Sequence, residues 1–222
     1  MVSHFPAALY LPQDSFDTVS NQVIGRRIAG RLLTRAFAAG LSQEEMLTIF
    51  SPGQGSIAAV NQMVAGVTPA QAAVRVGGEP DAAVVQEIGA IHFPDPSLGR
   101  WAALRQGLPP TAFSLTGVIH TVCSDGALKG IGDIPMAPLY AWDAVVCTST
   151  AGRAVVASAL EQRLEAMLAR FQLQERPSLA IELPQLPVIP LAGPTEQPYE
   201  PHLDREERRR LARQQQIGRA HV

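Results

Sequence analysis

His120 closes the apolar run Phe113-Ser114-Leu115-Thr116-Gly117-Val118-Ile119 and is followed by Thr121. A histidine at a strand end can donate or accept a hydrogen bond with a hydroxyl, or stabilise charge near neutral pH. It can equally be a structural histidine satisfied by its neighbours. His92 lies within or near the end of a second strand and reads as a core or rim residue, while His4 and His202 fall in tails. No ligand-pair spacing links these histidines with Cys123 or Cys147, so a metal cluster has no support in the sequence. Upstream, Asp14-Ser15-Phe16-Asp17-Thr18 leads towards Gly25-Arg26-Arg27. A helix start with glycine close by offers free N–H groups and a positive dipole end to a phosphate or sugar oxygen. Gly25 serves close helix packing as readily as a ligand, and Arg26 and Arg27 read as solvent-facing. Gly-x-Gly-x-x-Gly does not follow the first strand, and Gly-x-x-x-x-Gly-Lys-[Ser/Thr] occurs nowhere, which disfavours dinucleotide and Walker-type phosphate sites. Gly53-Gln54-Gly55-Ser56 does not complete a Gly-x-Ser-x-Gly nucleophile elbow.

The elements that must position these residues follow a repeating strand and helix order. Ala7–Leu11 reads as a buried strand, and a helix follows in which Ile24, Ile28, Leu32 and Ala36 recur at four-residue spacing, with Ser20 or Asn21 as cap and Gly40 as a left-handed stop. Met46–Phe50 is a second strand and Ile57–Val64 a helix. Gly66–Gly78 holds only small residues, Pro69 and turn signals. Asp81–Ile88 is a helix stopped by Gly89, Ala90–Phe93 a strand, and Trp101 with Leu104 marks a helical turn or two. Ala112–Val122 is the longest strand-like run and Ala144–Cys147 another. Thr150–Phe171 is the clearest helix, with Val156, Leu160, Leu164, Met167 and Phe171 in one stripe. Leu186–Leu191 is the last strand. Short apolar strands alternating with amphipathic helices predict an α/β fold: a Rossmann-like, doubly wound, mostly parallel sheet covered on both faces. In such sheets ligands bind beyond the carboxyl ends of the strands, so the candidate chemistry lies in the loops 12–21, 51–56, 94–98, 120–131 and 148–152.

Composition sets the outer bounds. The 222 residues are 46% hydrophobic and 17% charged, which excludes a disordered chain. Eighteen Lys and Arg against 20 Asp and Glu give a net charge of -2, so no global basic field draws the chain to nucleic acid or an anionic membrane. Two cysteines make no disulfide framework, no run is long and apolar enough to span a bilayer, and the first residues do not form an export signal. A reducing, cytoplasmic setting is expected. The proline-rich stretch Pro194–Pro201 reads as a linker and Asp204–Gln216 as the start of a solvated helix with Glu206, Glu207 and Arg210 at pairing distance. Residues 217–222 look like one reading frame of a widely used sequencing-adapter oligonucleotide, which takes His221 out of any site argument. This leaves residues 1–193 as the first domain and 194–216 as linker and start of a second.

Several segments occur together in an order that carries a family resemblance. They are Leu9-Tyr10 with Asp17-Thr18, Gly25-Arg26, Phe113–Gly117 with His120-Thr121, Trp142–Ser149, and Leu186–Leu191. Together they resemble the N-terminal half of a retaining glycosyltransferase of the GT-B fold, in the family-4 group. The resemblance implies transfer of a sugar from a nucleotide-sugar donor to an acceptor hydroxyl, without metal or other cofactor, with acceptor bound mainly by this domain and donor mainly by the next. It implies that His120 reaches over the donor sugar and that Gly25 and Arg26 face the donor phosphates, with Asp17, Thr116 and Thr121 as further cleft residues. The leaving diphosphate gains charge as its bond to the sugar breaks, and fixed positive or N–H groups stabilise it. Retention by front-face attack requires no nucleophile motif.

Two departures stand out. Where the family passes into its second domain through a segment like Ile-Pro-Leu-Gly-Val-Asp, this chain has Ile189-Pro190-Leu191-Ala192-Gly193-Pro194-Thr195. The donor domain would lie beyond Val222, so the chain by itself is expected not to turn over, and to self-associate through apolar surface that a later helix would cover. A membrane-borne acceptor, with peripheral contact through it, is compatible with this half. Two other classes remain open: another nucleotide-sugar enzyme such as an epimerase, against which Lys129 has no tyrosine four residues before it, and a non-catalytic α/β binding or regulatory module.

Overall fold

The computed structural model describes residues 3–17, 25–172 and 182–190. The expected caps Ser20 and Asn21, Ile24 of the helix stripe, Leu191, the linker, the charged run and the terminal segment lie outside these residues. All described elements belong to one compact unit that ends at Leu191.

The sheet is parallel throughout. Its strands are β1 (Ser3–His4), β2 (Ala8–Tyr10), β3 (Glu45–Phe50), β4 (Ala73–Gly77), β5 (Ala90–Phe93), β6 (Ser114–Val118) and β7 (Ala144–Val146). Across the sheet they run β4-β3-β2-β5-β6-β7, with β1 beside β3 ahead of β2. Beyond β7, Gln185 and Val188 make parallel bridges to Ala144 and Cys147. The expected last strand thus runs beside β7 from Gln185 to Ile189, joined by four backbone hydrogen bonds but without a continuous ladder.

Helices cover both faces. Neighbouring residues of a strand point to opposite sides, so Leu9, Leu47 and Ile49 pack with Ala38 of α1 (Gly25–Ala39) and Val60 of α2 (Ser56–Ala65). On the other side Ile91, Phe93, Leu115 and Val145 pack with Val85 of α3 (Ala82–Ile88), Ile131 of α4 (Asp125–Gly132), and Val156 and Leu160 of α5 (Thr150–Arg170). The doubly wound α/β sheet expected from alternation is the observed fold. Local signals hold at several ends. Asp81 caps α3 by accepting from the backbone N–H groups of Ala83 and Val84 at 2.9 and 3.1 Å, and Gly89 closes it at a φ of 96°. Ser149 caps α5 through Gly152.

Five expectations are corrected by the structure. The stripe on α1 faces outward: Ile28 and Leu32 are exposed, whereas Gly30, Thr34 and Ala38 are buried. Gly30 decides this, because a Cβ there would lie 2.3 Å from the Ser15 carbonyl oxygen; only glycine lets the helix come so close. Gly40 ends α1 without a left-handed conformation; the described glycines with positive φ are Gly53, Gly55, Gly89 and Gly107. Within Gly66–Gly78, β4 forms although its residues are exposed or half-buried, because all five of its residues pair with Met46–Phe50. The same pairing along β3 turns the expected tail at Ser3–His4 into β1. Within 120–131, α4 forms despite three glycines, which are poor helix formers. Ser124 caps it by accepting from Ala127, and Gly130 approaches Ser97 so closely that a Cβ would meet the Ser97 hydroxyl at 2.3 Å.

The amino ends of β6 and β7 are tied together by a buried ion pair. Arg105, on the short 3-10 helix Leu98–Arg105, donates to both carboxylate oxygens of Asp143 at 2.9 and 2.6 Å. It also donates to the carbonyls of Phe113 and Pro138. Asp143 is wholly buried and additionally accepts from the backbone of Leu115 and Tyr140. Truncating one partner leaves the other charge buried without compensation. Asp143→Ala is expected to lower unfolding free energy by about 3–5 kcal/mol, read from urea denaturation; a loss below about 1 kcal/mol would show that the pair is dispensable.

Candidate functional site

The strand order reverses between β2 and β5. From β2 the chain proceeds through β3 to β4 on one side, and from β5 through β6 to β7 on the other. Loops leaving adjacent strands in opposite directions open a crevice at their carboxyl ends. A cavity of about 330 Å³ occupies this end of the sheet, lined among others by Arg26, Pro94, Asp95, Arg100, His120 and Thr121. A larger cavity of about 670 Å³ runs along residues 99–110 and 133–140. Its deepest cation is Arg105, already committed to Asp143 and to backbone carbonyls, and Arg100 lines both cavities; the smaller one lies where the strand order reverses.

Its walls come from distant parts of the chain. Arg26 stands in the first turn of α1, 94 residues before His120 in the sequence, and pairs with the Asp14 carboxylate across the first loop. Thr121 accepts from the backbone N–H of Cys123 and leads into the capped start of α4, whose Ser124, Gly126 and Ala127 complete one wall. The turn after β5 forms another. There Asp95 accepts from the Ser97 backbone at 2.9 Å and from Arg100 at 3.1 Å. Gly117 pins this turn to β6, since a Cβ on Gly117 would meet the Asp95 carbonyl at 2.5 Å. Beneath Arg100 lies the Trp101 ring at 5.0 Å, itself stacked on Phe93 and set against Tyr10. Burial and the nearby carboxylates of Glu79, Asp14 and Asp95 push the Tyr10 hydroxyl above its ordinary pKa, against the pull of Arg100, so it stays protonated.

His120 is half-buried and held below its usual pKa, first by burial and then by the charge of Arg26; a hydrogen bond to the Pro94 backbone and the charge of Asp95 oppose this. At neutral pH the ring is therefore uncharged. An uncharged imidazole keeps one ring nitrogen with a lone pair able to accept from a hydroxyl.

Of the residues singled out in the sequence, His120, Arg26 and Thr121 line the cavity. Gly25, Asp17 and Thr116 are not among its lining residues. Gly25 begins α1 with nothing within 4 Å of where a Cβ would be, so close packing does not explain it. Asp17 closes the first loop by donating its backbone N–H to Gln13. Thr116 pairs instead with His92, whose Nδ1 lies 3.0 Å from the threonine hydroxyl. Sequence reasoning named the loops 94–98 and 120–131 but did not single out Asp95 or the start of α4 within them, and it missed Arg100. The signal for Asp95 was its place directly behind a strand, whereas α4 carried no apolar period that could announce it. Among the described residues no group of three His, Cys, Asp or Glu side chains is arranged to hold a metal ion, and no helix is long and apolar enough to cross a membrane.

No protein-family model, curated protein or solved structure matches this chain.

His92 provides a test of the electrostatics under the site. Burial, reinforced by His120, lowers its pKa to about 4 from an ordinary 6.5. The unfolded chain takes up a proton near pH 6.5 that the folded chain refuses until about pH 4, so this residue makes stability fall as the pH drops through that window. His92→Gln is expected to flatten that part of the stability profile, measured as urea midpoints from pH 7 to pH 4. An unchanged profile would place His92 in contact with water.

Proposed function

We propose that this chain is the acceptor-side half of a retaining glycosyltransferase, which moves a sugar from a nucleotide-sugar donor to an acceptor hydroxyl. The observation that carries the reading is the meeting of His120, Thr121 and Arg26 in one cavity at the reversal of strand order. These residues come from two separate parts of the chain, and the family resemblance independently pairs the same two parts.

The chemistry of the cavity supports it. A neutral His120 ring offers a lone pair to a sugar hydroxyl without adding a second cation beside Arg26. The Arg26 guanidinium, held by Asp14, sets a cation of the kind that binds phosphate oxygens at the wall of the same cavity. Gly25 is open above its α-carbon at the start of α1, next to Arg26. The donor nucleotide itself would be held largely by residues outside this chain, and no step of this reading requires a metal or other cofactor. Asp17 and Thr116 do not line the cavity; the one closes the first loop and the other pairs with His92.

The test begins with the source DNA. The coding sequence beyond the codon for Gln216 is recovered, expressed together with the present chain, and assayed for sugar transfer from a set of nucleotide sugars. The expected result is a continuation into a second α/β domain and measurable transfer, reduced roughly 10²- to 10³-fold by His120→Ala. A native stop near Gln216 with no sugar transfer would reject the reading in favour of a one-domain binding module.

A further inference from the structure

We propose that the 330 Å³ cavity is a phosphate-monoester site, formed by Arg26, Arg100 and the amino end of α4. That the ester belongs to the acceptor rests on the transferase reading; the anion site itself does not.

Two guanidinium groups from unconnected elements line the same space, and neither is used up. A guanidinium has five N–H donors. Arg26 directs Nη2 to Asp14, and its Nε is buried without a partner. Arg100 directs Nη2 to Asp95 and rests its plane on Trp101, which holds it at the cavity wall. Its remaining N–H groups take no part in that ion pair.

The third donor set is backbone. Helix α4 begins at Asp125, and Ser124 caps it by accepting from Ala127, so the N–H groups of Asp125 and Gly126 are not used by the cap. Gly126 lines the cavity, with nothing within 4 Å of where a Cβ would stand. Thr121 accepts from Cys123 and keeps its own O–H to donate. The opposing acceptor is the Asp95 carboxylate, and it is occupied by the Ser97 N–H and by Arg100.

Donors arriving from three elements suit the terminal oxygens of a tetrahedral phosphate. A planar carboxylate would be satisfied by one guanidinium in a two-point contact. The volume lies at the low end for ligand sites, which suits a sugar-sized monoester and not a complete nucleotide sugar. A phosphate group on the acceptor would anchor it beside His120, leaving its hydroxyls free to be presented to the reacting sugar.

The experiment is a titration of the full chain followed by the amide resonances of Gly126 and Ala127. The probes are inorganic phosphate, glucose 6-phosphate, glucose and uridine diphosphate. Both inorganic phosphate and glucose 6-phosphate are expected to shift the two resonances, glucose to leave them in place, and Arg100→Gln to weaken the sugar phosphate roughly tenfold or more. Arg26→Gln is expected to do the same. Arg100 is exposed, so its replacement is compatible with an unchanged melting temperature. Equal affinity in both variants would overturn the proposal, as would shifts that avoid α4. So would a response to uridine diphosphate alone, which would assign the cations to the donor. Since no sugar transfer is measured, a failed transferase assay leaves these outcomes distinct.

Discussion

The carboxylate of Asp143 accepts four hydrogen bonds, two from Arg105 and one each from the backbone of Leu115 and Tyr140. It thereby fixes where β6 and β7 begin, and Arg105 ties the preceding turn to the same point through Phe113 and Pro138. Register in a parallel sheet is set once per strand, so anchoring the amino ends determines which residues emerge at the carboxyl ends. His120 reaches the cavity because β6 starts at Ser114, with the Leu115 N–H already committed to Asp143. A slip of one residue would turn His120 to the opposite face of the sheet.

The site end is organised by close approach. Gly30 brings α1 onto the first loop, Gly117 brings the turn after β5 onto β6, and Gly130 brings α4 onto Ser97. Each contact is nearer than any Cβ permits, and together they draw three elements around one small space. Charge is arranged in the same economical way. Arg26 with Asp14 and Arg100 with Asp95 hold the cations in place, and burial keeps His92 and His120 neutral beside them. The cavity therefore sets two carboxylate-paired guanidinium groups beside an uncharged imidazole.

Much of the fold was legible in the residues. The runs Met46–Phe50, Ala90–Phe93 and Ala144–Cys147 are apolar enough to be buried strands in any setting, and Asp81 with Gly89 frames its helix by local chemistry alone. The elements that escaped notice are those whose stability is not local. β4 has no apolar run and β1 is two residues long; both form by pairing with β3. Helix α4 depends on the space that Gly130 leaves against Ser97. The stripe on α1 misled because spacing identifies an apolar face but not what stands opposite it, and here the Ser15 carbonyl required a glycine on the inner face.

For the site, the sequence singled out His120 by its place behind a strand, while Arg26 and Thr121 entered as candidates through the family resemblance. It also determined that the sheet is parallel, since short strands joined by helices can close a sheet in few other ways. Only the tertiary structure decided that Arg100, Asp95 and the start of α4 join them, and that Asp17 and Thr116 are not part of the lining. Such groupings depend on which strands become neighbours and on backbone contacts at a few glycines, and neither leaves a periodic mark in the chain.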